Sequence, residues 1–319
     1  MTGLIAAGID AGKTYLDIGI EPSRSCFRVV NAQAGIEDAV ARLQRAGVRK
    51  VVLEAIGPFA QPVVTRLVTA GFDVGLVNPR RIKAFREAEG RRAKTDRLDA
   101  RLIARFAVRM TDALRPVPTV DQQALKALAT RRRQLVEMIA MEKTRLKQAA
   151  DPFLCESHRT AIAALTAERA RIEADIEARL AADAALRRKQ TILLSLPGIG
   201  PTVSTALVTD LPELGLLDRR AIASLAGLAP HPSQSGTSIG RNQIGGGRPC
   251  VRTALYMAGL VASRSDPRFR AEYQAMRADG KPAKVAIIAI SRKLLVLANS
   301  LIKTDRLYDP DYAPAKTIH

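Results

Sequence analysis

The most restrictive feature of this 319-residue chain is the order of apolar runs before residue 80. Residues 4–9 and 16–20 read as two strands joined by a tight turn around Ala11-Gly12-Lys13, and residues 26–30 as a third. Helical spacing follows at Ile36, Val40 and Leu43, with a stop at Gly47. Val51-Val52-Leu53-Glu54 is a short apolar run of the kind that forms a buried parallel strand. A helix from Pro62 to Ala70, stopped by Gly71, then leads to a strand through Val74–Val77. Strands that first meander and then alternate with helices predict a mixed α/β sheet. A doubly wound parallel sheet is the competing architecture, and the early hairpin disfavours it.

The texture changes beyond residue 118. Residues 121–149 place Leu125, Leu128, Leu135, Met138, Ile139 and Leu146 at helical spacing, and residues 160–189 do the same with Ile162, Leu165, Ile172, Ile176 and Leu180. Both are rich in helix formers and are separated by Asp151-Pro152, which predicts a coiled-coil-like helical hairpin. Two helices packed into one globular core is the alternative. From residue 191 a mainly α region follows, with helices over 250–263 and 282–303 and a Gly/Ser/Pro/Arg-rich loop over 230–249. The expected domains are therefore 1–118, 119–190 and 191–303, with 304–319 a flexible tail.

Charge narrows the partner. There are 50 Lys and Arg against 31 Asp and Glu, a formal charge of +19. Residues 80–149 alone carry 19 basic and 8 acidic groups, whereas residues 1–79 carry 8 and 7. Such concentrated positive charge points to a polyanion, nucleic acid before an anionic membrane surface. No apolar run approaches the ~18–20 residues of a membrane span, and the N-terminus lacks a basic signal-peptide region. Cys26, Cys155 and Cys250 are scattered and odd in number, which suits a reducing cytoplasm and provides neither a disulfide framework nor a zinc site. Aromatic residues are 4% with no Trp, so backbone and shape contacts outweigh base stacking.

Three constellations carry chemistry. Asp10 and Glu54 close apolar strands, and Asp96 and Asp99 share one face of a helix beginning near Thr95. Four carboxylates converging from strand ends and a helix suit Mg²⁺, because hard cations take oxygen ligands. Singly, each has a plainer reading: Asp10 as a turn residue, Glu54 in an ion pair, Asp96 and Asp99 stabilised by the helix dipole. The second constellation is Pro197-Gly-Ile-Gly200 ahead of a helix, a helix-hairpin-helix-like turn that either holds a phosphate on its N–H groups or simply needs glycine for its angles. The third is the serine loop 233–238 with Arg241, Arg248 and Arg252. It is either an ordinary loop or a hydroxyl among arginines poised to attack a phosphodiester. Candidate nucleic-acid contacts are Arg80, Arg81, Lys94, Gly198, Gly200, Arg241, Arg248 and Arg252.

Gly8-Ile-Asp10 before Lys13 and Leu16-Asp17, Leu53-Glu54 with Gly57, and Lys94-Thr-Asp96-Arg-Leu-Asp99-Ala100 resemble the acidic core of the DEDD transposases of bacterial insertion sequences. Leu196-Pro-Gly-Ile-Gly200, Gly227-Leu-Ala-Pro230, Ser235-Gly236 and Gly246-Gly-Arg248 with Arg252 resemble that family's second domain. The likeness covers residues 5–303, and the family includes bridge-RNA-guided serine recombinases and Piv-type DNA invertases. It implies an N-terminal RuvC-like domain (RNase H fold), a coiled-coil region, and Asp10, Glu54, Asp96 and Asp99 as a catalytic tetrad binding Mg²⁺. Ser235 is then the nucleophile, forming a phosphoserine link to DNA in a site completed by another subunit. A dimer assembling to a tetramer, a structured non-coding guide RNA and a cytoplasmic, nucleoid-associated location follow from the same resemblance. One departure is local: Ala55-Ile56-Gly57-Pro58-Phe59 stands where members often have Thr and an aromatic. The alternatives are a Piv-type site-specific invertase, a metal-dependent junction resolvase without serine chemistry, and a non-catalytic nucleic-acid-binding protein.

Overall fold

The computed structural model describes residues 4–54, 58–90, 96–110, 115–117, 119–231, 234–235, 238–239 and 243–310, and the side chains of residues 58, 96, 115, 116, 120, 234, 235, 238 and 239 lie outside the description. It divides into two units, Met1–Thr119 and Val120–His319. In the first unit, β1 (Ala6–Ala11), β2 (Tyr15–Glu21), β3 (Ser25–Val30), β4 (Lys50–Glu54), β5 (Asp73–Val77) and the two-residue β6 (Arg115–Pro116) form one sheet in the order β3-β2-β1-β4-β5-β6. β1, β2 and β3 pair antiparallel, whereas β4 and β5 run parallel to β1. The meander lays β2 and β3 on one side, and crossovers through α1 (Gln33–Arg45) and α2 (Gln61–Thr69) lay β4 and β5 on the other. This is the strand order of the RNase H fold.

Strand alternation separates the sheet's two faces. Ile9, Leu16, Ile18, Val51 and Leu53 pack with Ile36, Val40 and Leu43 of α1 and with Val63 and Leu67 of α2. On the other face Ala6, Val52 and Val77 pack with Leu102, Ile103 and Phe106 of α4 (Asp96–Arg109) and with Ile82 of α3 (Pro79–Ala88). Phe85 and Phe106 meet edge to face at 5.4 Å, tying α3 to α4. Two glycines let α4 lie directly on the strands. A Cβ on Gly8 would stand 2.2 Å from the Ala104 nitrogen, and one on Gly19 would stand 2.8 Å from the Arg101 nitrogen.

The second unit begins with two long helices, α5 (Val120–Gln148) and α6 (Pro152–Ala182). Asp151, read above as a separator, is the N-cap of α6, its carboxylate accepting from the Leu154 N–H at 3.0 Å with Pro152 in the first turn. The stretch expected as one helix over 160–189 is broken at Asp183, whose carboxylate caps α7 (Ala184–Leu194) through the Ala185 and Leu186 N–H groups. Arg132 donates to Glu173 at 2.7 Å between the long helices. Leu125, Ile176 and Leu180 enter the same core as Leu193, Leu207, Leu255 and Leu294. That core is completed by α8 (Pro201–Asp210), α9 (Arg219–Leu225), α10 (Pro249–Ser265), α11 (Pro267–Ala278) and α12 (Ala283–Lys303). Contrary to the sequence reading, α12 is long and apolar enough to cross a membrane by length and composition alone. One face of it, including Ile290, Leu294 and Leu295, is core.

Gly8→Val should destabilise the first unit by about 3 kcal/mol, since the α4 backbone has no flexible group to give way. Urea unfolding of the variant against the parent chain measures this, and a change near zero would show that α4 does not seat on β1 as described.

Candidate functional site

The acidic residues gather through strand register. Ile9 pairs with Leu53 between parallel β1 and β4, so Asp10 and Glu54 are the next neighbours, on strands about 4.8 Å apart. Alternation puts Asp10 on the face of Ala6 and Gly8, and Glu54 on the face of Val52, which is the face covered by α4. That helix crosses Gly8 with residues 100–104 and reaches Ala6 with its later turns, so it runs against β1. Its first turn, with Asp96 and Asp99, therefore lies toward the strand ends that carry Asp10 and Glu54. Asp99 is 8% exposed, and Arg86 at the end of α3 donates to its carboxylate at 2.6 Å. The Asp96 carboxylate and Lys94 lie outside the described residues.

A fifth acid borders this set. Asp17 faces Asp10 across the β1–β2 ladder and is 2% exposed. Two like charges so placed would repel, and Arg28 on β3 compensates: its Nε donates to both Asp17 oxygens at 3.1 Å and its Nη2 donates at 2.7 Å. The same guanidinium lies 5.2 Å from the centre of the Tyr15 ring. Burial, then the Asp17 charge, pushes the neighbouring Cys26 thiol up, against opposing influences from Arg97, Arg101 and Arg28. A protonated, half-buried thiol is a poor nucleophile.

Among the described residues Asp10, Glu54 and Asp99 offer carboxylate oxygens here, the donor type that hard divalent cations take. Among the described residues no three His, Cys, Asp or Glu side chains form a metal cage. Asp10 and Glu54 are adjacent, and Asp99 is held by Arg86.

The serine loop belongs to the second unit. β7 (Pro230–His231) pairs with β10 (Gln243–Ile244), and within this ladder β8 (Gln234–Ser235) pairs with β9 (Ser238–Ile239), Ser235 opposite Ser238. The Ser235 side chain, Ser233, Thr237 and Arg241 lie outside the described residues. The base of the loop is anchored by two left-handed glycines, Gly227 (φ 72°) and Gly247 (φ 58°). Their backbones touch so closely that a Cβ on Gly247 would stand 2.3 Å from the Gly227 nitrogen. The Arg248 N–H donates to the Leu225 carbonyl at 3.0 Å, and Arg252 Nη1 to the Gly246 carbonyl at 2.9 Å.

The candidate nucleic-acid contacts divide by environment. Arg80 and Arg81 are exposed in the first turn of α3. Arg248 is engaged inside the fold, donating to Glu213 at 2.5 and 2.6 Å and to the Asp210 carbonyl at 2.8 Å. Gly198 (φ 78°) presses on α10, where a Cβ would stand 2.4 Å from the Ala258 carbonyl oxygen, whereas nothing lies within 4 Å of a Cβ built on Gly200. Arg86, Asp17 and Arg28 were not among the expected site residues. Only the buried position of Asp17 within an alternating strand could have signalled the last pair.

Acids at the ends of central strands lie beneath a helix on an RNase H-like sheet in a strongly basic chain, and the family models that match this chain put it in the DNA-recombination class. Residues 7–153 match the DEDD transposase model of the IS110 type, and residues 190–274 match the model described as the transposase IS116/IS110/IS902 family. The chain belongs to this IS110-type transposase family. It is 28% identical to the pilin gene-inverting protein of Moraxella bovis over 95% of this chain and 97% of that one. It is also 29% identical to a 43.6 kDa protein of insertion element IS110 from Streptomyces coelicolor, over 47% of this chain and 36% of that one. Among solved structures, Thermus thermophilus RuvC in complex with a Holliday junction substrate is 20% identical, with a TM-score of 0.28 over 36% of this chain and 99% of that one.

Arg86→Ala should cost about 3 kcal/mol by stranding the buried Asp99 carboxylate. Adding Asp99→Asn should return part of that loss in urea unfolding, and full additivity of the two changes would mean that the pair does not interact.

Proposed function

We propose that this transposase carries out RNA-guided DNA strand exchange, with Ser235 as nucleophile and a Mg²⁺ site formed by Asp10, Glu54, Asp96 and Asp99. The observation that carries the metal half is the adjacency of Asp10 and Glu54 at parallel strand ends, beneath the helix that begins with Asp96. When bound, the cation supplies charge to stabilise the phosphate undergoing substitution. The serine half rests on the family membership and on the glycine-anchored loop. The Ser235 hydroxyl forms an Oγ–P bond to DNA while a P–O bond to a deoxyribose breaks, and the hydroxyl proton passes to the released sugar oxygen. Attack on that phosphoserine by a deoxyribose hydroxyl of the partner strand forms the new P–O bond and restores the serine.

In this reading the partners are donor and target duplex DNA and a structured guide RNA, and the acidic and serine sites of different subunits combine in a dimer that assembles to a tetramer. The protein works in the cytoplasm at the nucleoid. Site-specific inversion is a second reading, favoured by similarity along nearly the whole length of the pilin gene-inverting proteins. A structured non-coding segment beside the coding region supports guided transposition, and an adjacent invertible promoter supports inversion.

Ser235→Ala should abolish covalent protein–DNA species on denaturing gels while leaving DNA binding intact. Adducts that persist would move the nucleophile to Ser233, Thr237 or Ser238. Mg²⁺-dependent cleavage that never traps an adduct would instead mark a metal-only junction resolvase. Asp10→Asn should lower strand exchange by about a hundredfold or more, and full activity in that variant would make the acids structural.

A further inference from the structure

At the opposite end of α4 from Asp96 and Asp99, a polar cavity of about 510 Å³ opens between the β2–β3 turn and the last turns of the helix. Four of its lining residues are arginines, Arg24, Arg101, Arg105 and Arg109, facing only two acids, Glu21 and Glu89. Glu89 takes Arg105 at 2.9 Å and Arg109 at 3.0 Å, while Glu21 stands 3.9 Å from Arg105. Two guanidiniums are thus balanced within the fold and two are surplus. Among the described residues Arg24 and Arg101 have no ion-pair partner, and the Arg101 Nε–H is buried with no hydrogen-bond acceptor, as the Glu21 Oε1 is buried with no donor.

Arg24 also holds a left-handed backbone (φ 59°), a conformation that costs an arginine energy and is retained here at the cavity edge. Arg97, Arg101, Arg105 and Arg109 recur every fourth residue of α4, about 6 Å of rise per step, and so form a basic stripe along the helix. From Asp99 to Arg109 the helix rises about 15 Å, roughly four nucleotide steps of a DNA strand.

We propose that this cavity is a phosphate site for DNA, in which Arg24 and Arg101 grip the backbone of the strand whose scissile phosphate lies at the other end of α4. The proposal rests on the reading of DNA as substrate and, for where the scissile phosphate lies, on the acidic corner as the reacting site, but not on Ser235, and binding in EDTA tests it without the metal. Its direction follows from the stripe, which joins the acidic corner to the cavity along one helix.

The test is DNA binding by the full chain in EDTA across a salt series, with a duplex of about 20 base pairs as probe. Arg24→Asn keeps a residue that tolerates the left-handed backbone, and Arg101→Gln keeps most of the buried stem. The double variant should lower the slope of log affinity against log salt by about 2, close to one unit per lost phosphate contact, and the single Arg24→Asn by about 1. Arg45→Gln, on the helix covering the other sheet face, should leave the slope unchanged. An unchanged slope in a double variant that melts with the parent overturns the proposal. If the double variant does not fold, the single Arg24→Asn decides by the same criterion. A slope that falls for an RNA hairpin but not for the DNA duplex also overturns it. Failure of the unmodified chain to bind any DNA would overturn the functional reading as well.

Discussion

The structure of the first unit depends on the absence of two side chains. Gly8 and Gly19, paired across β1 and β2, admit the α4 backbone to the sheet at distances that any Cβ would forbid. Close seating fixes the height, direction and rotation of the helix together. It brings Leu102, Ile103 and Phe106 onto Ala6 and Val52, and it carries the first turn of α4 toward the strand ends of Asp10 and Glu54. Packing and chemistry are therefore set by one contact, and a site built on strands and a seated helix is held more closely than one built on loops.

Poorly solvated carboxylates in each unit require a local balance, and arginine supplies it repeatedly. Arg28 neutralises Asp17, Arg86 holds Asp99, Arg133 reaches Asp210 at 2.5 Å, and Arg248 clasps Glu213. Each pair joins different elements, so each also fixes the position of one element on another. Leaving any of these carboxylates unpaired would be costly in a poorly solvated position. Each such pair removes one charge of either sign, so the net excess of +19 resides on basic groups beyond these pairings.

The sheet was largely legible because strand periodicity and glycine stops are local signals. β1 to β5 fall where the apolar runs and turns lie, and the early hairpin correctly indicated a mixed sheet. Helix ends were less legible. Asp151-Pro152 and Asp183 carry the same ambiguity, since a capping acid both interrupts one helix and starts the next. The acids Asp10 and Glu54 could be picked out as polar groups closing apolar strands, but Arg86 could not, because its partner is 13 residues away across a helix-to-helix connection. Arg248 looked like a phosphate contact for the same reason: Glu213, which engages it, is 35 residues distant in the chain and adjacent only after folding.

The contact between Gly227 and Gly247 separates two kinds of constraint on the serine loop. Outside the β7–β10 ladder, backbone touches backbone in left-handed conformations, and no other residue type can be substituted without moving α9 or α10. Within the ladder, β8 and β9 set Ser235 opposite Ser238. The socket is thus held by backbone shape, and the constraint on Ser235 inside the loop is the chemistry proposed for it.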